Sequence, residues 1–256
     1  MSSTELISNA IRGAAKRGGP AIVAYVTAGF PTKAGFLEQL AKVGEAADVI
    51  EIGVPFSDPM ADGTTIQRSS REALAQGVSL RWILEQLASL GARRPAAPLL
   101  LMSYLNPLLA YGLDRLPEDA ARAGISGFIV PDLPYEECAE LRDALNARDV
   151  VLVQFVTPVT PVERMKKLCA AGQGFIYAVT MTGTTGKNVA VPQEALDYFG
   201  QVRKLSTVPV CAGFGIRSRE QVARLSGHVD GVIVGSALVE VLERGEDPAK
   251  WLAALR

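Results

Sequence analysis

Short, nearly continuous apolar runs rich in β-branched residues alternate along this chain with longer stretches whose apolar positions recur every three to four residues. Eight of the short runs predict strands, over residues 21–27, 49–54, 99–104, 127–130, 150–156, 175–180, 208–212 and 231–234. Runs with so little polar alternation suit strands covered on both faces, as in parallel sheets. Between them, Phe36, Leu37, Leu40 and Val43 fall on one helical face, and the stretches around 138–145 and 222–225 repeat the pattern. Gly124 and Gly172 stand where helices should stop. A further helix over 6–17 precedes the first strand.

Eight strand-then-helix units in 256 residues predict an α/β fold, a (β/α)8 TIM barrel with an extra N-terminal helix. An open, doubly wound parallel sheet is the alternative architecture. No Pro/Gly/Ser-rich linker or charge block divides the chain, so residues 1–256 are expected to form a single domain. Barrel enzymes carry their chemistry at the C-terminal ends of the strands and in the loops that follow. That rule filters the candidates.

One strand breaks its own pattern. Glu51 sits between Ile50 and Ile52, and an unpaired buried carboxylate is costly. By period-2 alternation it shares a face with Val49 and Gly53. If that face lines the barrel, burial raises the pKa of Glu51 and suits it to proton transfer; a structural ion pair is the other reading. Asp62 lies at the far end of the following loop and could fold back over the same mouth, although Asp-Gly is also ordinary turn chemistry. Two carboxylates in different environments can divide the roles of proton carrier and fixed anion. Asp58 reads equally as a turn former or a surface contact. Asp132, after the fourth strand, reads as a rim residue or as a helix cap.

The last three strands each run into glycine: Gly183-Thr184-Thr185-Gly186, then Gly213-Phe214-Gly215, then Gly235-Ser236. Gly235-Ser236 opens a helix, whose unsatisfied N–H groups favour an anion. Loops at these strand ends commonly hold phosphate in barrels. Lys187 could assist, or be a solvated charge. There is no Walker A or GxGxxG pattern to support a nucleotide.

Composition removes other classes. Lys+Arg 26 against Asp+Glu 27 gives no basic field for nucleic acid. No run reaches bilayer-spanning length, and no signal-like segment opens the chain, which points to the cytoplasm. Cys138, Cys169 and Cys211 are widely spaced and read as reduced, buried thiols. His228, the only histidine, falls just before the last strand, at the end of the barrel away from the chemistry. No metal site or cofactor is expected. Tyr25, Tyr104, Phe128, Tyr177 and Phe214 lie in or just after strands, where they either fill the core or line a flat apolar pocket.

The segment 51–67 reads Glu-x-Gly-Val-Pro-Phe-Ser-Asp-Pro-x-Ala-Asp-Gly-x-Thr-Ile-Gln, and here the chain resembles the alpha-subunit family of tryptophan synthase. The likeness continues through 101–107, 130–134, Tyr177 with 183–186, 213–216 and 235–237, so it spans essentially the whole chain. It implies a lyase that cleaves indole-3-glycerol phosphate into indole and glyceraldehyde 3-phosphate by a retro-aldol reaction, in tryptophan biosynthesis. Glu51 matches the acid/base carboxylate, and Asp62 the carboxylate that holds the indole N–H. Gly186, Gly215, Gly235 and Ser236 match the phosphate cradle, while Tyr25, Tyr104, Tyr177 and Phe214 surround the indole. The loop after the sixth predicted strand would close as a lid.

The resemblance also implies a pyridoxal-phosphate-dependent beta subunit as partner, in an alpha2beta2 assembly, with Pro55 and Asp58 at contact positions. A stand-alone indole-releasing lyase and a non-catalytic activator of the beta subunit are the alternatives. Three residues depart from the family pattern: Thr64 where proline is usual, Met181 where some relatives have arginine, and Thr184 in the lid.

Overall fold

The computed structural model describes residues 1–180, 191–213 and 215–256. Met181, Thr184, Gly186, Lys187 and Phe214 therefore lie outside the described residues.

The chain opens with α1 (Ser3–Ala15), followed by β1 (Ala21–Thr27), α2 (Phe36–Gly44), β2 (Val49–Gly53), α3 (Thr64–Ala75) and α4 (Leu80–Leu90). It continues with β3 (Leu99–Met102), α5 (Leu105–Tyr111), α6 (Leu116–Ala123), β4 (Ile125–Ile129), α7 (Ala139–Asn146), β5 (Val151–Leu152), β6 (Gln154–Val156) and α8 (Val162–Ala170). The last part comprises β7 (Ile176–Val179), α9 (Gln193–Leu205), β8 (Val210–Gly213), α10 (Arg219–Leu225), β9 (Gly231–Val234), α11 (Ser236–Glu243) and α12 (Pro248–Ala254).

The strands run in the order β5-β4-β3-β2-β1-β9-β8-β7-β6, and every ladder is parallel. The single strand expected over 150–156 is thus two segments, one pairing with β4 and the other with β7. Val153 stands between them and still donates its N–H to Phe128 O at 2.9 Å. One stretch of chain closes the barrel, and turning from one neighbour to the other interrupts its ladder. With that seam counted once, the eight expected strands are the eight staves of an α/β TIM barrel.

Alternate residues face inward and outward as the strand period requires. Ala21, Val23, Val49, Leu100, Ile129, Val151, Val153, Phe175, Cys211 and Ile233 form the inner core. Their neighbours, such as Ile22, Ile50, Ile52, Leu101 and Phe128, pack outward against the helices. The three cysteines are free and buried.

Helix α1 plugs the bottom, with Ile7, Ile11 and Ala14 packed into the inner core. It begins at Ser3 rather than residue 6 because Ser2 and Glu5 form a reciprocal capping box. Gly124 stops α6 in the left-handed conformation, as its sequence position suggests. Gly172 follows α8 without that conformation; a Cβ there would meet Ile176 Cδ1 at 2.6 Å, so packing accounts for it. Among the described residues no helix is long and apolar enough to cross a membrane.

Candidate active site

Strand β2 lies between β1 and β3, with Glu51 level with Tyr25 on one side and Leu100 on the other. The Val49–Glu51–Gly53 face points into the barrel, where Val49 joins the inner core and Glu51 stands next above it. Glu51 is fully buried, at 0% exposure, and neither carboxylate oxygen has a hydrogen-bond partner among the described residues. The structural ion pair considered from sequence is therefore not made there. Burial alone pushes the Glu51 carboxyl up to about 8, so near neutral pH it carries a proton. The Tyr25 ring lies over the next inward position, where a Cβ on Gly53 would collide with the phenol oxygen.

Asp62 reaches the same mouth from the end of the loop after β2. Tyr104 holds the turn, its hydroxyl accepting the Ala61 N–H at 2.9 Å. Burial raises the Asp62 carboxyl to about 6, while the Tyr104 hydroxyl draws it down. Asp62 thus ionises well before Glu51, which gives two carboxylates separate protonation states.

Tyr104 is itself fixed from behind. It precedes α5, and Asp132 accepts the Leu105 N–H at 2.9 and 3.2 Å, capping that helix. Of the two sequence readings for Asp132, the structure shows the cap. The Phe56 ring packs on Tyr104 at 5.4 Å between centroids.

A cavity of about 440 Å³ joins these parts. Glu51, Asp62, Tyr25 and Tyr177 line it together with Gly215, Gly235 and Ser236. Tyr104 stands behind the Ala61–Asp62 turn, where its hydroxyl meets both the Ala61 N–H and the Asp62 carboxyl. The Tyr177 ring stacks on Phe155 at 4.9 Å, and a Cβ on Gly213 would lie 2.7 Å from it. Burial above all, and the Glu51 and Asp62 carboxyls in their ionised forms, push the Tyr177 phenol well above its ordinary range and keep it neutral. Phe128 packs outward in the helix-facing core and is no part of the pocket.

Beside Tyr25 on the cavity wall, α11 starts at Gly235 and Ser236, and Gly235 offers the first N–H groups of the helix no side-chain cap. Helix α3 likewise starts uncapped at Gly63, beside Asp62. Pro55 is buried at the base of the loop, whereas Asp58 is exposed and accepts the Ser57 hydroxyl at 2.5 Å. His228 lies at the opposite end of the barrel, before β9.

Met102, Phe155, Thr157 and Ile233 also line the cavity and were not singled out from sequence. Parity could have found three of them: Met102 follows inward Leu100, Phe155 follows Val153, and Ile233 belongs to the inner core. Thr157, beyond its strand, gave no such signal.

The model for "Tryptophan synthase alpha chain" matches residues 11–255. The tryptophan synthase alpha chain of Nitratidesulfovibrio vulgaris is 44% identical over 253 residues, covering 98% of each chain. That of Chloroflexus aurantiacus is 44% identical over 225 residues, covering 88% of this chain and 85% of its own. Among solved structures, tryptophan synthase subunit alpha from Legionella pneumophila superposes with a TM-score of 0.86 at 30% identity, covering 100% of this chain and 97% of its own. A chain of Mycobacterium tuberculosis tryptophan synthase gives 0.88 at 33% identity, covering 97% and 96%. An inward carboxylate pair in a barrel mouth, found in a chain this similar over nearly its full length, has one reading: the chain belongs to the tryptophan synthase alpha chain family.

Proposed function

We propose that Glu51 and Asp62 divide the proton chemistry of this family's lyase reaction, the cleavage of indole-3-glycerol phosphate to indole and glyceraldehyde 3-phosphate. The observation that carries the proposal is the buried Glu51 carboxyl, without a hydrogen-bond partner among the described residues, facing the same cavity as Asp62. Near neutral pH the neutral Glu51 acid donates its proton to indole C3. The carboxylate so formed takes the proton of the glycerol hydroxyl next to the breaking carbon–carbon bond. Electrons from that O–H bond form the aldehyde, and those of the broken carbon–carbon bond restore the aromatic ring. Glu51 ends as it began, protonated. Asp62, ionised, accepts the indole N–H and offsets the positive charge that C3 protonation places on the ring.

The phosphate is assigned to the N–H groups at Gly235 and Ser236 and to the Gly215 turn, because α11 begins there without a side-chain cap. Gly186, outside the described residues, is assigned to the same cradle on the family pattern alone. The indole lies among Tyr25, Tyr177, Phe155 and Ile233, whose apolar surfaces dominate the wall. Phe214, also outside the described residues, belongs to that pocket by sequence.

A beta subunit that receives the indole is the proposed partner, docked on the rim that carries Pro55 and the exposed Asp58. Met60, 83% exposed beside Asp58, supplies the apolar surface such an interface needs.

The test is indole release by the purified chain, with and without a beta subunit. Glu51→Gln should lower the rate at least about a hundredfold with beta-subunit binding intact. Normal turnover in that variant would end the assignment. Release without the partner would identify a stand-alone lyase, and no release in either condition would leave only the activating role.

A further inference from the structure

Helices α3 and α11 both begin at the cavity wall, and one carboxylate joins them. Glu240, one turn into α11, accepts the two Arg217 guanidinium nitrogens at 2.7 and 2.9 Å and the Thr65 hydroxyl at 3.3 Å. Thr65 is in the first turn of α3, three residues past Asp62. Arg217 lies two residues past Gly215, and its backbone N–H donates to Gln221 Oε1 at 2.7 Å. The Ser218–Gln221 capping box that starts α10 fixes the same stretch. None of Thr65, Arg217 and Glu240 lines the cavity, so all three act on it through the backbone of the segments that do.

The arrangement is more than a surface ion pair. Glu240 and Arg217 are each about three-quarters buried, at 29% and 25% side-chain exposure, and the forked, two-bond geometry fixes orientation as well as charge. Arg217 is the main reason the Glu240 carboxyl stays below its ordinary range. A second pair, Arg68 with Glu243, links the same two helices one turn further on, more exposed and without reaching the loop after β8.

We propose that Glu240 is a positioning residue: through Arg217 and Thr65 it ties the phosphate-holding turns to the loop that presents Asp62. The separation between the substrate's phosphate and its indole nitrogen is then set by one carboxylate that touches neither. This rests on the phosphate and Asp62 assignments made above.

The experiment compares Glu240→Ala, Glu240→Gln and the control Glu243→Ala in the full chain. Calorimetry measures the affinity for inorganic phosphate, and steady-state kinetics gives kcat and KM for indole-3-glycerol phosphate. Glu240→Ala should weaken phosphate about tenfold and lower kcat by a similar factor. Glu240→Gln, which keeps an acceptor for Thr65, should fall between it and the unmodified chain. Glu243→Ala, which removes the more exposed pair between the same helices, should stay within about twofold on both readouts. Unchanged phosphate affinity and kcat in both Glu240 variants would overturn the proposal. So would Glu243→Ala reproducing the Glu240→Ala losses, because helix packing alone would then be responsible. Gly235→Val separates the two levels: if it leaves phosphate affinity unchanged, the cradle assignment itself is wrong.

Discussion

At the scale of single residues, the proposed reaction needs two carboxyls in opposite states. Asp62 must ionise, so cleavage should rise with pH through about 6; Glu51 must keep its proton, so it should fall again through about 8. The expected profile is a bell centred near neutrality, read from kcat/KM against pH. A flat profile across that window would refute the division of roles. Stability carries the same signature. A glutamate ionises near 4.5 when unfolded and near 8 here, so between those values the folded state holds a proton that the unfolded state has lost. Stability contributed by Glu51 therefore falls as pH rises across that window and levels off above it. Glu51→Gln should gain stability relative to the unmodified chain over the same range, by up to a few kcal/mol, in denaturation midpoints taken at several pH values. Glu51 was legible in the sequence because a carboxylate between two isoleucines contradicts its strand. The work of Tyr104 was not, because its hydroxyl meets a backbone N–H 43 residues away.

At the scale of elements, what matters is which helix starts are capped. Asp132 caps α5 and thereby holds Tyr104; α11 and α3 are left open at the cavity. Asp132→Ala should cost about 1 kcal/mol as a lost cap. It should also move the acid limb of the pH profile upward, because a loosened Tyr104 no longer draws the Asp62 carboxyl down. An acid limb that stays in place would show that Tyr104 is held by other means. Gly235→Val should raise KM about tenfold or more with little loss of fold, since a Cβ there meets nothing closer than 3.8 Å and its branches would enter the space given to phosphate. The order of elements was readable from apolar periodicity, and each strand was found within a residue or two. The break at Val153 was not readable: the run 150–156 is uniformly suited to a strand, and the division comes from which neighbour each half meets. The family's proline position is Thr64, the first residue of α3, where proline is favoured because its N–H has no partner in the helix.

At the scale of the whole molecule, the barrel is built from the bottom up. Helix α1 supplies Ile7, Ile11 and Ala14 to the inner core, so the floor under Glu51 is contributed by a segment outside the repeating pattern. Ile11→Ala should cost about 2–5 kcal/mol, measurable as a lowered denaturant midpoint with little change in slope. A cost below about 1 kcal/mol would mean the plug is dispensable. Sequence anticipated that helix but not its purpose, because nothing in an amphipathic pattern says which surface it will meet. The seam has a wider consequence. Both ends of the strand series, β5 and β6, belong to one uninterrupted stretch of chain, so the sheet has no outer strand. A sheet without a rim gives a neighbouring molecule no row of unpaired N–H and C=O groups to extend. Self-association by strand addition must then wait for the barrel to open, and the same event that ends catalysis begins aggregation.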